Sequence, residues 1–171
     1  MRLLKIAFLF AVALTIFSSC KKLEEYPVIP SIEYKNMFVL QDAGGFDEFV
    51  RLVIAFTDGD GDIGYHAVES GLNDPIFDDP ASAYYYNYSA KVFQFVNGVW
   101  SEVTSPIPIS GRLPYMTPEG PNKALKGEID REFNVPPGLI ADTIRFEVFI
   151  YDRALHKSNT LTTPAVIITS R

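Results

Sequence analysis

The stretch Tyr84–Val103, YYYNYSAKVFQFVNGVWSEV, decides the fold class. Two runs of aromatic and β-branched residues flank Asn97-Gly98, and both residue types suit a pleated, half-buried surface. Asn-Gly tolerates the positive φ of a type I′ turn, whose twist matches that of two antiparallel strands. The stretch therefore predicts a β-hairpin.

Working outward, the same signals recur. Ile32–Leu40 reads as a strand, Ala43-Gly44-Gly45 as a turn, and Phe49–Thr57 (FVRLVIAFT) as a strongly apolar second strand. In Leu125–Phe133, Leu125, Gly127, Ile129, Arg131 and Phe133 share one face, opposite Lys126, Glu128, Asp130 and Glu132. Arg131 interrupts the apolar row. Ahead of it Pro106, Pro108, Pro114, Pro118 and Pro121 break up a long segment, leaving room for a short edge strand near Ile109–Tyr115. Ile144, Phe146, Val148 and Ile150 line one face of a further strand, and Thr160–Thr169 supplies the last. Outside the N-terminus no segment sustains a helical period. Seven or eight strands with turn signals at this spacing predict an all-β, two-sheet antiparallel sandwich over residues 31–171. VPPGLIADTIRFEVFIYDRA at Val135–Ala154 resembles the Pro-Gly turn and long alternating strand of fibronectin type III and related immunoglobulin-like domains.

The N-terminus carries a different signal. Arg2 and Lys5 precede an uncharged run, Ile6–Phe17, whose twelve residues would span about 18 Å as a helix against a hydrocarbon core of about 30 Å. Residues 1–19 read as a secretory signal peptide rather than an anchor. The only cysteine, Cys20, follows two serines, and IFSSC resembles a bacterial lipobox. That resemblance implies lipidation of Cys20, with residues 20–30 as anchor and tether and the membrane as a partner. Cleavage there removes two of the 15 basic residues and no acid, leaving 13 against 21 and a net charge of −8. So acidic a domain is not expected to bind nucleic acid. Without a further cysteine it depends on its core and on any metal.

The motif with the clearest chemistry is FTDGDGDIGYHAVE at Phe56–Glu69. Asp58, Asp60 and Asp62 offer hard oxygen ligands at alternate positions, and calcium takes six to eight of these. Counted as an EF-hand, Asp58 is position one and Glu69 position twelve, but Ile63 stands where that loop needs glycine and a strand leads in. A calcium turn of another framework fits, with Glu69 as a further ligand. The alternative is an acidic turn between strands. Asp152, Asp74, Asp78 and Asp79 are placed to reach the same end of the sandwich.

A second group of residues suggests ligand binding. Tyr84, Tyr86 and Trp100 in the hairpin suit stacking on sugar rings, and Arg112 and Tyr115 lie in a polar, proline-rich segment of the kind that hosts binding sites but more often simply connects strands. The competing reading is that alternation buries half of these rings for packing. His66 and His156 read as loop residues. Neither a zinc set nor a nucleophile elbow is present, so an enzyme is not expected.

Taken together, the lipobox, FTDGDGDIG, NGVW, PYMTPEGPNKALKGEI and DRALHKSNTLTTP resemble a group of small Bacteroidota lipoproteins. The resemblance implies an immunoglobulin-like or cadherin-like sandwich anchored by lipid at the outer membrane, and KKLEE after Cys20 resembles the charged tracts that send such lipoproteins to its outer face. It leaves two expectations: a calcium-stabilised domain for adhesion, envelope assembly or protein interaction, or a glycan-binding accessory of a polysaccharide system.

Overall fold

The computed structural model describes residues 24–66 and 74–169. Cys20 and Glu69 therefore lie outside the described residues. The predicted strands form β1 (Ser31–Gln41), β2 (Asp47–Asp58), β3 (Tyr88–Val96), β4 (Val99–Glu102), β5 (Leu125–Asn134) and β6 (Thr143–Ile150). The last strand is split by Pro164 into β7 (Leu161–Thr162) and β8 (Val166–Ile167). The Asn97-Gly98 turn has φ of 51° and 84°, as a type I′ hairpin requires.

Three further segments differ from expectation. Tyr84–Asn87 belongs to a turn rather than to the hairpin strand. Ile109–Tyr115 forms no strand and makes single bridges, Gly111 to Tyr88 and Pro114 to Tyr65; Pro114 within it and Pro108 before it cannot donate to a ladder. One helical turn, α1 (Pro75–Asp78), starts at a proline whose missing N–H is no loss there.

Two antiparallel sheets face each other. One has the order β1-β2-β5, and the other the order β4-β3-β6-β7 with β8 also paired to β6. Strands one, two and five against three, four, six and seven is an immunoglobulin-like partition, as the resemblance of Val135–Ala154 implied. The central strands supply the core. Val50, Leu52, Ile54 and Phe56 of β2 meet Ile144, Phe146, Val148 and Ile150 of β6, with Tyr88, Val92 and Ile129 alongside. Burying each such side chain contributes about 1.5–3 kcal/mol.

The two inward rows share a further feature. Continuing each by two residues leads from Phe56 to Asp58 and from Ile150 to Asp152, and both aspartates are 0% exposed. The period that fills the core thus drives one carboxylate from each sheet into the same end of the sandwich.

Candidate metal centre

Asp58 ends β2, and the loop after it folds back across the end of the sandwich. A Cβ at Gly61, whose φ is +63°, would overlap the Lys123 carbonyl, so only glycine fits this close approach. Ile63 is fully buried and bridges Asp152 antiparallel, which ties the loop to the end of β6. Arg153 N–H donates to the Asp62 carbonyl at 3.1 Å, and Ala154 N–H donates to Asp62 Oδ2 at 3.0 Å.

These constraints bring Asp58, Asp62 and Asp152 together, one carboxylate oxygen from each lying within 4.8 Å of the others. Asp58 Oδ2 accepts the Asp62 N–H at 2.8 Å, whereas Asp58 Oδ1 and Asp62 Oδ1 are buried without a hydrogen-bond partner. Asp152 accepts the His156 N–H at 2.7 Å and lies 2.9 Å from the His156 ring nitrogen. Oxygens sharing one calcium at 2.3–2.6 Å lie no more than about 5 Å apart, so the spacing and the unpartnered oxygens fit such an ion.

The electrostatics agree with that chemistry. Burial pushes the Asp58 carboxyl up to about 7, and the charges of Asp60, Asp62 and Asp152 add to the rise. The Asp62 and Asp152 carboxyls are raised too, chiefly by burial. The hydrogen bond to Asp152 raises His156. Protonation relieves crowded carboxylates by one route, and a bound cation does so by another.

Of the residues expected to bind metal, Asp58 and Asp62 enter the cluster. Asp60 stays exposed at the loop tip, close enough for its charge to act on all three acids. Asp152 completes the set from the other sheet, and His156, read from the sequence as a plain loop residue, is its partner. The acids of the proline-marked excursion are engaged elsewhere: Asp74 with His66, Asp78 with Arg112, and Asp79 with its own turn.

Of the five residues expected to meet a ligand, Tyr84, Tyr86, Arg112 and Tyr115 are linked by contacts through Tyr65, His66, Phe77 and Tyr85, and Trp100 packs elsewhere. Tyr84 packs edge-on against Tyr151 at 4.9 Å, and Tyr86 against Tyr85 at 5.0 Å. Trp100 lies 5.1 Å from Phe95 with the Arg145 guanidinium 4.3 Å from its ring. The Arg112 guanidinium lies 3.9 Å from the Tyr65 ring and 4.5 Å from that of Tyr85, and donates to the Phe77 carbonyl at 2.6 Å. Tyr115 stacks on His66 at 4.1 Å beside Arg153. Each of these contacts holds a loop or a sheet face together.

The class defined by this geometry is an immunoglobulin-like sandwich with a cluster of three carboxylates, those of Asp58 and Asp152 buried and that of Asp62 half-buried, at one end. No protein-family model, no curated protein and no solved structure matches the chain.

Proposed function

We propose that this domain is a calcium-clamped, non-enzymatic sandwich, carried on the outer membrane by a lipid on Cys20 and serving adhesion, envelope assembly or protein interaction. The observation that carries the metal reading is the convergence of Asp58 from one sheet, Asp152 from the other and Asp62 from the connecting loop, with buried oxygens left unpartnered. An ion bound there joins the two sheets and the loop at a single point. The same end of the sandwich receives the tether, since Ser31 at the start of β1 pairs with Thr57 beside Asp58. The Gly59 N–H also donates to the Pro27 carbonyl at 2.8 Å. On this reading calcium stiffens the membrane-proximal end, where a tethered domain bears load.

Thermal melts in calcium and in chelator test the metal part. Calcium at about 100 times its dissociation constant contributes about 2.7 kcal/mol, so the wild-type melting temperature rises measurably and that of Asp62→Ala does not. Equal melting temperatures in both conditions for the wild type refute the clamp. Mass spectrometry of the mature N-terminus, wild type against Cys20→Ala, tests the lipid.

A further inference from the structure

Arg131 is the charged residue in the inward row of β5, between Ile129 and Phe133 and paired in register with Leu52 of β2. Its guanidinium carbon lies 5.5 Å from the centre of the Tyr88 ring. The group rests against Gly111, where even a Cβ would overlap it.

Among the described residues no carboxylate forms an ion pair with Arg131. Asp130, on the outward row, pairs with Arg51, and the charge of Glu132 acts on that same arginine. Arg131 Nε is buried without a hydrogen-bond partner, and so is the hydroxyl of Tyr88, a residue that is 0% exposed. A lysine in this position can shed its proton, but a guanidinium keeps its charge at any ordinary pH. An inward charge without a counter-charge is costly. Arg131 is half-buried and its terminal nitrogens are not among the buried unpartnered atoms, so they are open to a partner from outside the chain.

A route exists. A cavity of about 200 Å³ opens beside β5, lined by Arg131, Glu132 and Phe133 on one side and by Ile107, Pro108 and Ile109 on the other. With water occupying about 30 Å³ per molecule in the liquid, this space suits about six non-hydrogen atoms. We propose that the cavity binds a small carboxylate bearing a short aliphatic chain. The carboxylate accepts hydrogen bonds from Arg131, and the chain lies on the wall formed by Ile107, Pro108 and Ile109. The site is separate from the aspartate cluster and does not depend on calcium.

Butyrate, with six non-hydrogen atoms, is the probe that matches this size. Thermal denaturation of the full chain is followed across a butyrate titration, with 1-butanol and sodium chloride as controls for the chain and for ionic strength. The expected result is a saturable rise in melting temperature with butyrate alone. Arg131→Met weakens the apparent affinity by roughly tenfold or more, as loss of a charge-assisted hydrogen bond implies. Ile107→Trp fills the mouth from an exposed position while keeping the charge, and it also loses the response; it decides the matter if Arg131→Met does not fold. No response in the wild type, the same response in the variants, or an equal response to 1-butanol overturns the proposal.

Discussion

The sharpest consequence of the aspartate cluster concerns the metal-free protein. Asp58 has an ordinary pKa of 3.8 in the unfolded chain, and burial among other acids lifts it to about 7 in the fold. The folded state therefore binds the proton more tightly than the unfolded chain does. Below pH about 4 both states are protonated and Asp58 adds no penalty. Between pH about 4 and 7 the folded protein holds more protons, so its stability falls as the pH rises. At 1.36 kcal/mol per pKa unit, the cost above pH 7 is on the order of 4 kcal/mol. Asp58→Asn keeps an oxygen to accept the Asp62 N–H, now at 2.8 Å, and removes the charge. In metal-depleted buffer at pH 8 its melting temperature is expected to exceed that of the wild type by about 12 °C, at about 3 °C per kcal/mol for a domain of this size. At pH 4 the two coincide. Calcium reverses the order at pH 8, because it stabilises the wild type and finds one ligand fewer in the variant. Differential scanning calorimetry over pH 4–8, with and without calcium, checks all three statements. A metal-free wild type whose stability does not fall over that range, or a variant no more stable at pH 8, refutes the reasoning.

Three other outcomes follow from packing and hydrogen bonding. Ile54→Ala, at a fully buried position in the middle of β2, is expected to cost about 2–5 kcal/mol by urea denaturation, with the denaturant slope unchanged. Asn159 accepts the Ile32 N–H and donates to the Ile32 carbonyl, each at 2.9 Å, so it fastens β1 to the opposite sheet. Asn159→Ala leaves both groups without that partner and is expected to cost about 1–3 kcal/mol, with faster hydrogen exchange along β1. A Cβ at Gly59 would overlap the Tyr26 carbonyl. Gly59→Ala is expected to free the segment before Ser31 from the loop, read as protease cleavage within residues 24–30 while the core melts near the wild-type temperature.

Much of the fold was legible because its strands obey the simplest period. β2 and β6 each bury every second residue, and β5 presents opposite charge patterns on its two faces, so pattern alone located all three to within two residues. The hairpin turn was legible from Asn97-Gly98 for a backbone reason. What escaped was set by tertiary context. Tyr84–Tyr86 have strand propensity but pack in a turn around Phe77 and Arg112, where ring contacts outweigh the ladder. The α1 turn is too short to leave a periodic signal.

The candidate site was partly legible: Asp152 was already among the acids at that end of the sandwich, but the sequence did not separate it from Asp74, Asp78 and Asp79, for a physical reason. Spacing singled out Asp58, Asp60 and Asp62, but alternate positions on one loop say little about which carboxylates turn inward. The strand period says more. Val50, Leu52, Ile54 and Phe56 commit their row to the core, so the next member, Asp58, must be buried as well; the same step from Ile150 reaches Asp152. Asp60, one loop step further, falls outside both rows and remains in solvent. A buried row that ends in aspartate is costly for a lone strand, since the unpaired charge has no water to meet it. Two such rows on facing sheets, ending at the same edge, share that cost only if something positive sits between them. Arg153 and His156 supply part of that charge from the rim, yet Asp58 Oδ1 still lacks a partner, and it is this residual deficit that the proposed divalent cation would answer.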